Sequence, residues 1–312
     1  MRETLFLFLR GVAMGAVDLV PGVSAGTIAF ITGIYAELIT SIQSINLEAL
    51  KIGRSRGLAA LWEHINGNFL VTLLAGILFS LFTLAGAVKF LLTNYPLPLW
   101  SFFIGLILAS VIYLLRQHPP KNALQLIALG MGLTLTYLLS NASEMALDGN
   151  YLTMFIAGSI AVCAMILPGI SGSYILVLLG LYSVFIDALA NTQLDLLAVF
   201  AAGGVIGLMF FSRLLSWLLN NYSATVISTL CGFLIGSLSV MWPWKQVVTS
   251  SLNSGGKTAL SAVNLSPGDY RLLVGQDPQI LSCIIALLFG LALVLVLELL
   301  GERLRETSRS MD

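Results

Sequence analysis

Charge is what this sequence has least of. Only 10% of its 312 residues are Asp, Glu, Lys or Arg, where a soluble domain averages about 25%. The 15 basic and 15 acidic residues cancel, and no basic block stands out, so nucleic acid is not expected as a partner. Histidine is nearly missing: His64 and His118 are the only two, both in polar stretches between apolar runs. The three cysteines, Cys163, Cys231 and Cys283, all lie inside apolar segments without paired spacing. They read as small buried hydrophobes rather than as ligands or disulfide partners. No metal site and no cofactor is expected. A P-loop, a Ser/His/Asp arrangement and paired carboxylates beside histidine are also absent, so the chain does not read as an enzyme.

What is abundant is apolar surface. Hydrophobic residues make up 58% of the chain, and the mean hydropathy is +0.95. Repeated apolar segments of about 20 residues define an integral helical membrane protein. The alternation expected of a β-barrel is missing. The first ten residues imitate a signal peptide, but Arg10 interrupts the apolar run after five residues, so the segment reads as retained.

One short phrase occurs twice. Pro21-Gly-Val-Ser-Ala-Gly-Thr-Ile-Ala-Phe-Ile-Thr-Gly-Ile-Tyr35 aligns with Pro168-Gly-Ile-Ser-Gly-Ser-Tyr-Ile-Leu-Val-Leu-Leu-Gly-Leu-Tyr182. Pro, Gly, Ser, Ile, Gly and Tyr are identical in the two copies. Proline interrupts a helix, and the residues after it can open a new one with its first N–H groups free. Such N–H groups carry the positive end of the helix dipole and suit an anion. The hairpin tips are therefore Pro21, Gly22, Pro168 and Gly169. The candidate anion-binding residues are Ser24, Ala25, Gly26 and Thr27 on one side, and Ser171, Gly172 and Ser173 on the other. A tight helix-packing kink made of small residues is the competing reading.

In chain order, residues 4–40 form a first re-entrant hairpin. Residues 41–67 are polar and amphipathic, with Leu58, Leu61, Trp62 and Ile65 on one helical face beside Lys51, Arg54 and Arg56. They suggest either a helix on the membrane surface or a plain loop helix. Spans follow at about 68–92, 97–115 and 123–140. Residues 151–186 form a second hairpin, followed by spans at about 195–219, 223–241 and 279–299, with a loop rich in Ser, Gly, Asn and Pro at 245–277. Leu92-Thr-Asn-Tyr95 matches Leu219-Asn-Asn-Tyr222, and Gly105-Leu-Ile-Leu-Ala-Ser110 matches Gly232-Phe-Leu-Ile-Gly-Ser237. The expected architecture is an all-α polytopic membrane protein of two repeats, 1–145 and 146–312.

Basic residues collect in one set of short loops and acidic residues in the other, which puts both termini in the cytoplasm. Three crossings per repeat then invert the second repeat against the first. Inverted repeats with broken helices are the architecture of alternating-access transporters. Arg10 and Arg213 lie in or beside apolar segments, where a cation is costly unless it faces protein, water or lipid headgroups. Asp18 stands three residues before Pro21 and reads as a partner of Arg10 or a coupling-ion carrier. Glu37 reads as a solvated interfacial residue or a coupling group. Tyr35 and Tyr182 read as interfacial aromatic anchors or as functional residues.

The segment Asp18-Leu-Val-Pro-Gly-Val-Ser-Ala-Gly-Thr-Ile-Ala-Phe-Ile-Thr-Gly-Ile-Tyr-Ala-Glu37 resembles the first signature of the bacterial polyprenyl-phosphate transporter family (PopT). Ala164-Met-Ile-Leu-Pro-Gly-Ile-Ser-Gly-Ser173 resembles its second, and Gly236-Ser-Leu-Ser-Val-Met-Trp-Pro-Trp-Lys245 a third. The resemblance covers almost the whole chain. It implies a flippase of the bacterial inner membrane. That flippase would return undecaprenyl phosphate, the lipid carrier for peptidoglycan and surface glycans, from the outer to the inner leaflet. The partners implied are that lipid and the bilayer; a homo-oligomer is compatible with the sequence. Read from the residues alone, a small-anion or organic-acid transporter fits as well.

Overall fold

The computed structural model describes residues 2–20, 24–142, 144–145, 147–250 and 259–309. Helix α1 (Arg2–Asp18) leads into two short helices, α2 (Ala25–Ile31) and α3 (Tyr35–Ser44). Two more, α4 (Leu47–Arg56) and α5 (Leu58–His64), precede three long ones: α6 (Gly67–Asn94), α7 (Pro96–Gln117) and α8 (Ala123–Ser140). The order then recurs with α9 (Tyr151–Ile166), α10 (Gly172–Leu178), α11 (Tyr182–Ala190) and the 44-residue α12 (Leu194–Ser237). A two-stranded antiparallel ribbon, β1 (Lys245–Ser250) and β2 (Ala259–Asn264), comes next, then α13 (Pro267–Leu273) and α14 (Ile280–Arg309). Among the described residues, helices α6, α7, α8 and α12 are each long and apolar enough to cross a membrane, and two bent pairs raise the number to as many as six.

The bent pairs are where the structure departs from the simple hairpin. The part of each expected hairpin that follows its tip is broken: α2 and α3 meet at 119°, and α10 and α11 at 111°. The cause is the same in both. Gly33 (φ 75°) and Gly180 (φ 71°) are left-handed and end their helices. Ile34 N–H bonds back to Ala29 O at 3.0 Å, and Leu181 N–H to Leu176 O at 2.9 Å, completing a Schellman turn in each. A Cβ on Gly33 would meet nothing within 4 Å, so only backbone conformation selects glycine there. Gly33→Ala is expected to cost about 1 kcal/mol through the left-handed penalty alone. Gly33→Asn should cost less, and thermal unfolding of the purified protein measures both.

The spans expected at 195–219 and 223–241 are the two parts of α12, separate helices run together across a kink, and the second stops at Ser237. Straight, α12 would extend about 66 Å, twice the hydrocarbon thickness. Its one non-helical residue, Tyr222 (φ −134°, ψ 37°), divides it. Tyr95, between α6 and α7, has nearly the same backbone (φ −134°, ψ 48°). Pro96 follows Tyr95 and has no N–H to carry the ladder on, whereas Ser223 follows Tyr222 and has one. The expected loop at 245–277 instead contains the β1–β2 ribbon and α13. Ser266 caps α13 by accepting from Asp269 N–H at 3.1 Å.

Long helices pack through glycines. Helix α1 crosses α6, and α9 crosses α12, at backbone contact. A Cβ on Gly11 would lie 2.3 Å from Leu73 O and one on Gly76 2.2 Å from Phe8 O; the corresponding values are 2.1 Å for Gly158 against Phe200 O and 2.0 Å for Gly203 against Phe155 O. The other crossings join distant parts of the chain. Helix α7 packs on α14 through Gly105 and Gly290, and α8 packs on α12 through Gly132 and Gly232. Buried side chains from α1, α6, α7, α9, α12 and α14 join one core, and Leu139 of α8 packs against it.

Candidate functional site

The two Pro-Gly phrases touch. Pro21 and Gly22 lie outside the described residues, so the first copy is seen from Ser24 onward. Ser24 is extended and 2% exposed, and it caps α2 by accepting from Gly26 N–H at 3.1 Å. Its hydroxyl also donates to Met165 O, near the end of α9, at 2.8 Å. Gly26 presses against the same helix end: a Cβ there would lie 2.3 Å from Ile166 O. Thr27 is 1% exposed, and its Oγ1 accepts from Gly169 N–H at 3.0 Å. Asp18, at the end of α1, accepts from the backbone N–H of Ala25.

The second copy is placed differently. Pro168 is fully buried, and Gly169 is left-handed (φ 84°), with its α-carbon close to Phe233 O of α12. Ser171 is buried but does not cap α10; its hydroxyl pairs with that of Ser173 at 2.9 Å. Gly172 lies against Ala161 O of α9, and Ser173 is exposed. Tyr174 donates to the last carbonyls of α8, Leu139 O at 3.2 Å and Ser140 O at 3.1 Å.

The expected symmetry of free donors therefore breaks. In the first copy the N–H of Ala25 goes to Asp18, that of Gly26 to Ser24, and that of Thr27 to Ser24 O at 2.9 Å. Thr27, expected as a donor, is an acceptor. In the second copy no side chain caps the opening N–H groups, and the two serine hydroxyls share one hydrogen bond.

The remaining candidates are scattered. Arg10 is half-buried on α1, about 12 Å of helix rise from Asp18, whose carboxylate turns instead to Ala25. Arg213 is exposed on α12. Glu37, also exposed, accepts from Asn66 Nδ2 at 3.0 Å, which ties α3 to the start of α6. The interfacial-anchor reading suits Tyr182, which is 43% exposed, and fails for Tyr35, which is 3% exposed and edge-on to Phe30. In the third signature, the Lys245 ammonium donates to Val240 O and lies 5.7 Å from the centre of the Trp100 ring. Burial pulls that ammonium down to about 8. Among the described residues no group of His, Cys, Asp and Glu could hold a metal.

Apolar helices too long for a small soluble core, with two bent helix pairs joined through their tips, define a multi-pass helical membrane protein. The chain belongs to the family described as VCA0040-like, undecaprenyl phosphate translocase-like, whose model matches residues 14–259. It is 46% identical over 300 residues to a polyprenyl-phosphate transporter of Vibrio cholerae serotype O1, covering 96% of this chain and 97% of that protein. It is 32% identical over 196 residues to a polyprenyl-phosphate transporter of Staphylococcus aureus, covering 56% of this chain and 69% of that one. No solved structure matches it.

Proposed function

We propose that this protein carries undecaprenyl phosphate across the bacterial inner membrane, returning it from the outer to the inner leaflet. The two tips would act as its phosphate gate. One observation carries the reading: Thr27 and Ser24 of one phrase bond directly to Gly169 and Met165 beside the other. Two interruptions of the membrane helices thus meet at one place, where polar backbone is tolerated. The names of the relatives support the substrate class. The matched glycine crossings and the paired Tyr95 and Tyr222 kinks support two inverted repeats, 1–145 and 146–312, with the bent pairs as re-entrant elements and both termini cytoplasmic.

In this reading the phosphate is held on the second tip, by the opening N–H groups of α10 and the hydroxyls of Ser171 and Ser173. The first tip, through Ser24, Ala25, Gly26 and Thr27, forms the wall against which it sits. The isoprenoid tail stays in lipid. Arg10 and Arg213 receive the phosphate on the cytoplasmic side, and release of the Asp18–Ala25 bond couples an ion to opening. The test follows undecaprenyl phosphate between leaflets of proteoliposomes. Ser171→Leu should bring movement to the protein-free background while the protein remains monodisperse. Unchanged movement removes the second tip from the pathway. Movement of a water-soluble organic phosphate in place of the lipid would favour a small-anion transporter.

A further inference from the structure

The segment between the first bent pair and the first long span takes no part in the site above. Asn46 opens α4, accepting from Glu48 N–H at 2.8 Å and Ala49 N–H at 3.0 Å, and Gly57 (φ 88°) closes it. Leu47, Leu50, Lys51 and Arg54 fall at i, i+3, i+4 and i+7, so they share one side of the helix. That side is outward: Leu47 and Leu50 are each 71% exposed, and Lys51 and Arg54 are exposed. The opposite side is the packed one. Ala49 is 4% exposed, and Gly53 lies against Leu61 of α5. Leu58, 79% exposed, and Trp62, 44% exposed, extend the outward surface onto α5.

Two further observations select the partner. No ion pair or hydrogen bond among the described residues engages Lys51 or Arg54; Glu63 points off this face by its helical position, and Glu48, three residues before Lys51, is not paired with it. In addition, α5 ends at His64 and α6, which is long and apolar enough to cross a membrane, starts at Gly67; a span that starts there puts this surface beside the headgroups. Bare leucines are unsuited to water, and unpaired cations are unsuited to an apolar protein face. Leucines at the acyl boundary with lysine and arginine reaching up to phosphates satisfy both.

We infer that the outward face of α4 and α5 docks on anionic phospholipid headgroups, with Lys51 and Arg54 as the headgroup contacts and Leu47, Leu50 and Leu58 as the acyl contacts. This inference does not depend on the transported substrate. The test uses the full chain in vesicles of equal phosphatidylglycerol and phosphatidylcholine, with one or the other brominated on its acyl chains. Emission due to Trp62 is the difference between the native chain and Trp62→Phe; Trp62→Tyr serves as a second reference. Quenching should report a local ratio of phosphatidylglycerol to phosphatidylcholine raised roughly threefold over the bulk ratio of one, a fraction of what two surface cations can supply. The double variant Lys51→Gln, Arg54→Gln should lose the preference yet remain quenched by both lipids. Equal quenching of the native chain by the two lipids overturns the proposal. So does quenching by neither, the result expected if a protein or a second copy covers the face.

Discussion

Gly26→Val is expected to abolish lipid-phosphate movement in proteoliposomes and to lower stability by about 1–3 kcal/mol, the usual range for overpacking. The reason is specific. A Cβ at this position would lie 2.3 Å from Ile166 O and 3.0 Å from Met165 O, both backbone atoms at the end of α9. No rotamer change relieves that clash, so α2 must retreat from α9. Retreat stretches the Thr27–Gly169 bond between the two phrases and the Ser24–Met165 bond from the first phrase to the end of α9. Gly86→Ala on α6 is the matched control, because a Cβ at that position meets nothing within 4 Å. A Gly26→Val protein that unfolds like the native chain and still moves the lipid would show that contact between the tips is dispensable.

Thr27→Val is expected to have the second-largest effect. Valine matches the shape of threonine but accepts no hydrogen bond, which leaves Gly169 N–H buried without its partner. An orphaned buried donor costs about 1–3 kcal/mol, so the thermal midpoint should fall by several degrees. Transport should fall with it, since Gly169 is left-handed at the second tip and that bond helps fix its peptide. Thr27→Ser keeps the acceptor and should recover most of both losses. If serine and valine behave alike, the hydroxyl has no part in holding the tips together.

The repeated phrase marks where two helix breaks meet, for a reason only partly visible in sequence. Pro168 and the small residues marked where helices break and approach, and that much follows from local chemistry. The assignment of donors does not. Ser24 and Thr27 open a helix and read as donors toward a ligand, yet their partners, Met165 and Gly169, are brought to them by tertiary packing. The glycines at 33 and 180 sit inside continuous apolar runs, and hydropathy passes over them; only the left-handed backbone reveals the bends. Tyr35 and Tyr182 occupy equivalent places in the phrase and differ completely in exposure, because their surroundings differ. The ribbon of β1 and β2 lies in a Ser- and Gly-rich stretch whose composition suggests a loop, and pairing between its two arms makes the strands. On α4 and α5, the sequence grouped Leu61 with Leu58 and Trp62, but Leu61 turns inward to Gly53.

The pairing of α7 with α14 has a consequence for how the chain assembles. Gly105 and Phe102 emerge well before the backbone they nest against, around Leu287 and Gly290, is made. Until α14 has been synthesised, nothing from that helix can fill the glycine groove of α7. This part of the bundle therefore closes only after α14 is in place, and a ribosome stalled before Ile280 would leave that groove without its native partner.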